Sequence, residues 1–305
     1  MSRVEHIVFD LDGTLYEQTP VILGVIYDKM LTTLADYLRI KEPGKWSKLS
    51  KIGDAYLEYY GQLKSHTEAF KMFKVPDEEA KRLATQAFNE ADIERYLGQD
   101  NKLLALLDRL DNRNVPYGLY TGRWKETGDD VLKKLGIPSL KRLAWAEFGD
   151  KYPKSMGTTE GFKQSLWNAN GQLRDRYEKK LKHDRENGIK IRRKPYSFNP
   201  KNVWYVGDRE DMEIKPALKV GMSVVRVCRE FGPPFYDKVA SDPADNSDPR
   251  EEQKSWKPNH LLFQRKEPDH YLIRDIYSLG VLVDHLLDLK DSGPYKLLPK
   301  SDKKL

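Results

Sequence analysis

Cysteine is almost missing from this chain of 305 residues, which contains Cys228 and no other. One cysteine forms neither a disulfide within the chain nor a zinc site built from several thiolates. Because Cys228 follows an apolar run, we interpret it as a core residue rather than a nucleophile. The six histidines show no HxH or HxxxH spacing. Carboxylates would therefore hold any bound metal, which favours magnesium.

The chain also lacks a long apolar segment. Its mean hydropathy is -0.74 and 33% of its residues are charged, whereas a membrane-spanning helix needs about 20 mostly apolar residues. The N-terminus does not show the pattern of a signal peptide. We therefore expect a cytoplasmic protein with no membrane partner, long enough for one large domain or two modest ones.

Positive charge is concentrated in one segment. The net charge is +6, and residues 172–202 hold 11 Lys or Arg against four acids, or +7. Tyr177, Tyr196 and Phe198 lie in the same segment. Such a basic stripe with aromatic residues could grip nucleic acid or another polyanion. The alternative, which we favour, is a long helix with a solvated charged face.

The most informative stretch is HIVFDLDGTLY, close to the N-terminus. Its apolar run is typical of a buried parallel strand, and polar residues follow at once: Asp10, Asp12, Gly13 and Thr14. Two carboxylates so close to a strand end can share a site, one attacking as a nucleophile while the other exchanges a proton. Gly13 permits a sharp turn, and the Thr14 hydroxyl can bind an anion. The alternative is an ordinary Asp/Gly turn.

A second predicted strand, in the sequence VPYGLYTGR, ends in Thr121, Gly122 and Arg123. A hydroxyl and backbone amides at such a position can hold a phosphoryl oxygen. Arg123 would contact the phosphoryl group or substrate, or else lie in solvent at the start of the next helix. A Thr/Gly turn without a function is the alternative for the whole stretch.

Another predicted strand, in NVWYVGDREDMEI, leads into Gly207 and an acidic loop. Asp208 comes directly after the strand, and Asp211 and Glu213 lie in the next turn.

These stretches, in this order, resemble the motifs of the haloacid dehalogenase (HAD) superfamily, whose members are mostly magnesium-dependent phosphatases that form an aspartyl-phosphate. FDLDGTLY is similar to motif I, which implies Asp10 as nucleophile and Asp12 as general acid/base. The strand that ends in Thr121 is similar to motif II. The second Asp of motif I favours phosphoryl transfer, since haloacid dehalogenases proper lack it.

The resemblance extends to motifs III and IV. Motif III implies a phosphoryl-binding lysine before a helix, and we expect Lys154 in that role, with Lys151 as its rival. The sequence GDREDME is similar to motif IV, GDxxxxD, whose acids bind magnesium. Asp208 matches the direct ligand, and Glu213 occupies the second acidic position, where Asp211 is the alternative. Asp10 and the Asp12 carbonyl would complete the magnesium site.

Helical periodicity between the first two strands predicts a helical insertion, which by the same resemblance is a type 1 cap that closes over the site. The expected fold is α/β: a Rossmann-like HAD core with a parallel sheet and an inserted, all-helical cap domain. The core would comprise residues 1–17 and 99–290, and the cap residues 18–98. We further predict a basic insertion over about 163–201, a loop insertion over about 231–260 and a polar tail over 291–305.

The activity that this pattern predicts is hydrolysis of a phosphomonoester, with Mg²⁺ as cofactor and a small phosphorylated metabolite or nucleotide as substrate. One alternative is a phosphatase that uses the basic insertion to act on nucleic-acid ends. Another is a HAD-fold module that binds a ligand without catalysis, although such a module has no need of two acids at one strand end.

Overall fold

The protein is described here by a computed structural model of residues 4–42, 48–63, 65–140, 142–145, 159–187, 196–228, 263–267, 269–273 and 275–291. The strands are β1 (His6–Phe9), β2 (Tyr117–Thr121), β3 (Arg142–Trp145), β4 (Val203–Gly207), β5 (Ser223–Val227), β6 (Phe263–Glu267) and β7 (His270–Ile273). The helices are α1 (Pro20–Lys41), α2 (Leu49–Leu63), α3 (His66–Met72), α4 (Asp77–Glu90), α5 (Asn101–Asn112), α6 (Lys125–Lys134), α7 (Glu160–Glu186), α8 (Lys215–Lys219) and α9 (Ser278–Asp291).

The strands form one sheet in the order β3-β2-β1-β4-β5-β7-β6. β6 is antiparallel to β7, and the other pairs are parallel. β1 lies between β2 and β4, with Ile7 opposite Tyr117 on one side and Trp204 on the other. The chain places β2 and β3 on one side of β1 and then β4 and β5 on the other, so a crevice opens at the carboxyl ends of the central strands.

Side chains of successive strand residues enter two cores on opposite faces of the sheet. Ile7 and Phe9 belong to the larger core, with α5, α6 and α9, whereas Val8 belongs to the smaller one, beneath α7 and α8. Phe162 of α7 packs edge-to-face against Tyr205, with ring centroids 4.9 Å apart. This alternation explains why the strands read as continuous apolar runs, since both faces are covered.

The predicted α/β fold with a parallel sheet is confirmed, while the antiparallel edge strand β6 was not foreseen. α7 runs from Glu160 to Glu186, and its first turns pack on the sheet. Cys228 is buried, as expected. The predicted loop insertion and nearly all of the polar tail lie outside the described residues. Within the described chain, no helix combines the length and apolarity that a bilayer crossing requires.

The segment between β1 and β2 is helical, and its described residues contain no strand. α1 begins after Thr19, whose hydroxyl accepts a hydrogen bond from the Ile22 N–H at 3.4 Å, and Pro20 occupies its first turn. Tyr56 and Phe70 of the next two helices are fully buried. The aromatic residues of α2 and α3 therefore serve mainly as packing for these helices.

Asn89, in the last turn of α4, joins this helical segment to the core. Its Oδ1 accepts hydrogen bonds from the Trp124 N–H at 2.7 Å and from the Thr127 hydroxyl at 2.9 Å. Its Nδ2 donates to the Thr85 carbonyl at 2.9 Å. The Asn89 side chain is buried, so these bonds form away from water and hold α4 against the start of α6.

We predict that Asn89→Ala lowers the free energy of unfolding by about 1–3 kcal/mol, because the Trp124 N–H loses its acceptor. Denaturant unfolding would measure this change. Gln86→Ala is the matched control, because Gln86 lies on the same helix and its amide bonds to the half-buried Arg82 and the exposed Glu90. It should change stability by less than about 0.5 kcal/mol. Equal effects of the two variants would contradict the assigned role of Asn89.

Candidate active site

Three neighbouring strands deliver polar residues to one edge of the sheet. Asp10 follows β1, Thr121 is the last residue of β2, and Asp208 follows β4. Because β1 lies between β2 and β4, these residues meet at the carboxyl ends of adjacent strands. This is the position at which open α/β sheets bind their ligands.

The backbone around Asp10 is held by the sheet and by a tight turn. The Asp10 N–H donates to the Val206 carbonyl at 2.8 Å, which extends the pairing of β1 with β4 by one residue. The chain then turns, with Leu15 N–H donating to the Leu11 carbonyl at 3.0 Å and Gly13 at φ +83°. A side chain at Gly13 would be strained at this φ and would also press against the Asp208 carboxylate.

Asp10, Asp208 and Glu213 form an acidic cluster, in which one carboxylate oxygen from each residue lies within 4.8 Å of the others. Asp10 and Glu213 are buried and Asp208 is half-buried. Like charges this close repel one another strongly in a partly dry site. Three oxygen donors with an excess of negative charge fit a hard divalent cation such as Mg²⁺.

Glu213 also shapes the loop that carries Asp208. Its Oε2 accepts hydrogen bonds from the N–H groups of Asp208 at 3.1 Å and Arg209 at 3.3 Å. Asp211, the alternative second acid, is exposed and pairs with Lys215 at 2.6 Å. The structure therefore brings Glu213 into the acidic cluster and leaves Asp211 outside it.

Tyr205 lies beneath the acidic cluster, on the strand that leads to it. Burial raises the pKa of Tyr205 well above its ordinary value, and the charges of Glu213 and Asp10 raise it further. The phenol therefore stays protonated and adds no further negative charge to this region.

Arg226, near the end of β5, supports the same loop and was not foreseen from the sequence. It is buried, and its Nε donates to the Asp208 carbonyl at 3.3 Å while its Nη1 pairs with Glu210 at 3.0 Å. The only signal for it is one arginine in the otherwise apolar strand SVVRV. A buried charge needs a partner, so such a residue points to a nearby carboxylate.

Asp12 has surroundings quite different from those of Asp10. Its Oδ1 accepts hydrogen bonds from the Tyr16 hydroxyl and from Arg123 Nε, the latter at 2.6 Å. Arg123 is buried instead of solvated, and it pairs with the other acid of motif I. Although burial works to lower the pKa of Arg123, the charge of Asp12 raises it above its ordinary value.

Thr121, Gly122 and Thr14 are placed close to these acids by the strand ends. Thr121 is buried, and its Oγ1 accepts a hydrogen bond from the Arg123 N–H at 3.2 Å. Thr14 is buried in the turn after β1, and Gly122 leaves open space where a side chain would lie. Lys154 and its rival Lys151 lie outside the described residues.

His66, at the start of α3, packs against the tyrosines of α2. The His66 ring stacks on Tyr60, with centroids 4.3 Å apart, and its Nδ1 is hydrogen-bonded to the Tyr56 hydroxyl. Burial, and then the positive charge of Arg209, lower the pKa of His66 to about 3, so the ring is neutral at pH 7. Arg209 directly follows Asp208 in the sequence, so the charge that acts on His66 comes from the loop that carries Asp208.

Comparison with solved structures gives matches over most of the chain. CbbY from Rhodobacter sphaeroides, in complex with phosphate, is 13% identical, with a TM-score of 0.44 over 76% of this chain and 88% of its own. A HAD phosphatase from Thermococcus onnurineus is 15% identical, with a TM-score of 0.44 over 92% and 97% of the two chains.

A HAD-superfamily hydrolase from Ehrlichia chaffeensis is 12% identical, with a TM-score of 0.43 over 94% of this chain and 99% of its own. The structural neighbours are HAD-superfamily hydrolases and phosphatases. No family model matches the sequence, and a search of curated proteins finds no match.

We predict that Glu213→Gln weakens Mg²⁺ binding by about 10- to 100-fold, the usual cost of changing a residue that supports a metal ligand. Glutamine can still accept the two loop N–H bonds through its side-chain oxygen, so the charge is the main loss. Isothermal titration calorimetry with Mg²⁺ measures the effect without a substrate. Asp211→Asn is the control and should leave the dissociation constant unchanged, whereas the opposite ranking would move the second acid to Asp211.

Gly207→Ala should also weaken Mg²⁺ binding, by tenfold or more on the same scale. A Cβ at this position would lie 2.8 Å from a ring carbon of Tyr205 and still closer to the Glu213 carboxylate, so Glu213 must move. Gly171→Ala in α7 has nothing within 4 Å of its Cβ and serves as the control. It should bind Mg²⁺ normally and gain about 0.5–1 kcal/mol of stability.

Proposed function

We propose that the protein is a Mg²⁺-dependent phosphomonoester hydrolase that acts through an aspartyl-phosphate on a small phosphorylated metabolite or nucleotide. The observation that carries the proposal is the meeting of the Asp10, Asp208 and Glu213 carboxylates at the ends of β1 and β4. Asp12 lies two residues from Asp10 in different surroundings, and it supplies the proton exchange that hydrolysis also needs.

In this proposal Asp10 and Asp208 hold Mg²⁺ together with the Asp12 carbonyl, and Glu213 holds it directly or through water. The cation offsets the negative charge that develops on the phosphoryl group. Buried carboxylates alone would repel a phosphate, so the proposed chemistry requires this neutralisation. The HAD motifs that the sequence resembles assign the same residues.

The reaction then has two steps. A carboxylate oxygen of Asp10 attacks phosphorus, the ester P–O bond breaks, and Asp12 gives a proton to the leaving oxygen. Asp12 next takes a proton from water, which attacks the aspartyl-phosphate and releases inorganic phosphate with Asp10 restored. Thr121 orients the phosphoryl oxygens through its hydroxyl and nearby amides, and Lys154 is proposed to neutralise their charge.

A small substrate is favoured over nucleic acid by the charges that the structure describes on α7. Its basic residues alternate with acids, and exposed pairs such as Arg174 with Glu178 and Lys182 with Glu186 offset one another. Helix faces of this kind are typically solvated. The selectivity for a particular ester is proposed to lie in the cap.

We predict that Asp10→Asn abolishes turnover, because an amide oxygen is too weak a nucleophile to form the acyl phosphate. The assay measures phosphate release with Mg²⁺ or with EDTA. Its substrates are p-nitrophenyl phosphate, sugar phosphates, nucleotides and 5′- or 3′-phosphorylated oligonucleotides. Wild type should release phosphate from one small ester class with Mg²⁺ only.

The matched control for Asp10→Asn is Asp111→Asn, an aspartate on α5 whose side chain bonds the Tyr117 hydroxyl at 3.0 Å. It should retain full activity. Mg²⁺-dependent turnover by Asp10→Asn would refute Asp10 as nucleophile. Turnover of oligonucleotides alone would favour the nucleic-acid-end phosphatase, and Mg²⁺ binding without any turnover would favour a binding module.

A further inference from the structure

Arg123 has a buried guanidinium that contacts three residues from two parts of the chain. Its Nε donates to Asp12 Oδ1 at 2.6 Å, and its Nη2 donates to the Tyr16 hydroxyl at 3.4 Å. Its Cζ lies 4.5 Å from the centroid of the Phe88 ring on α4. With 1% of its surface exposed, this charge is almost fully removed from water and depends on Asp12 for compensation.

Both hydrogen bonds that the described residues make to the Asp12 carboxylate go to the same oxygen. Tyr16 and Arg123 each donate to Oδ1. Two donors on one oxygen fix the plane of a carboxylate and leave the other oxygen, Oδ2, for proton exchange. The Asp12 side chain is 11% exposed, so it keeps access to the crevice at the strand ends.

The third contact links this arrangement to the cap. Phe88 directly precedes Asn89, the residue whose side chain fastens α4 to the start of α6. The Phe88 ring therefore rests on Arg123 because α4 is held in place. A cation over an aromatic face is stabilised most strongly when both groups are desolvated. Displacement of α4 would remove one of the supports of the guanidinium.

We propose that Arg123 and Tyr16 are positioning residues that hold Asp12 so that Oδ2 faces the leaving oxygen, with Phe88 of the cap supporting the guanidinium. The inference rests on the proposed function, since Asp12 has a proton to deliver only if the site cleaves an ester. A purely structural ion pair makes a different prediction: its loss would reduce activity on every ester equally.

The test compares esters whose leaving groups differ in their need for a proton. p-Nitrophenolate leaves as an anion, whereas an alkyl phosphate must expel a protonated oxygen, so only the latter needs a well-placed acid. kcat/KM covers the steps up to departure of the leaving group, and it is measured for both esters at saturating Mg²⁺. The variants are Arg123→Met and Tyr16→Phe.

For Arg123→Met we expect kcat/KM on the alkyl phosphate to fall about 100-fold, the lower end of what a general acid contributes. On p-nitrophenyl phosphate it should fall less than about threefold, because that leaving group needs no proton. Tyr16→Phe should show the same selectivity with a smaller loss. Arg123→Lys should remain impaired on the alkyl ester, because lysine keeps the charge but lacks the planar donor fork.

Two matched controls carry the same substitutions elsewhere. Arg82→Met removes an arginine that pairs with Glu79 on the surface of α4, at 2.6 Å. Tyr196→Phe removes a hydroxyl that donates to Asn170 at 2.6 Å. Neither should change the ratio of the two kcat/KM values. If Arg123→Met fails to fold, Tyr16→Phe decides the question, because it removes only one oxygen atom.

The outcomes separate this inference from the function on which it rests. Equal losses on both esters, or no loss on either, would overturn the positioning role while leaving the phosphatase intact. A wild-type protein that cleaves no ester would overturn the proposed function and, with it, the role of Arg123 and Tyr16. A selective loss on the alkyl ester in both variants supports the inference.

Discussion

Repulsion among the carboxylates of Asp10, Asp208 and Glu213, which lie within 4.8 Å of one another, is the constraint that the surrounding structure has to meet. Their positions are set by the backbone, through the pairing of Asp10 with Val206 and the N–H groups that bind Glu213. A folded scaffold can hold like charges together because many distributed contacts offset the local cost. That stored repulsion is what makes the cluster a fitting site for a divalent cation.

The same crowding explains why two positions in this region are glycine. Gly13 and Gly207 lie where a Cβ would press on the carboxylates of Asp208 and Glu213, respectively. Arg226 of β5 also stabilises this loop, because its guanidinium binds the Asp208 carbonyl and the Glu210 side chain. The loop after β4 is thus fixed by hydrogen bonds to its backbone, by its own acidic side chains and by a side chain of the adjacent strand β5.

The two acids of the first motif have different surroundings, which suit them to different steps of a reaction. Asp10 lies among carboxylates and is suited to metal binding and attack, whereas Asp12 is bound by Arg123 and the Tyr16 hydroxyl. Arg123 also reaches the cap through Phe88. Arg123 therefore links the position of Asp12 to the position of the cap.

The sequence by itself determined the central strands β1, β2 and β4, the helices of the cap and which strand ends carry acids, because apolar periodicity and the polar residues after it are local properties. It also indicated that Glu213 stands in the second acidic position. Only the tertiary structure separated Glu213 from the exposed Asp211, directed Arg123 toward Asp12, and revealed Tyr16, Phe88 and Arg226 as their neighbours. These contacts join residues up to 111 positions apart, and such pairs depend on strand order and packing instead of local pattern.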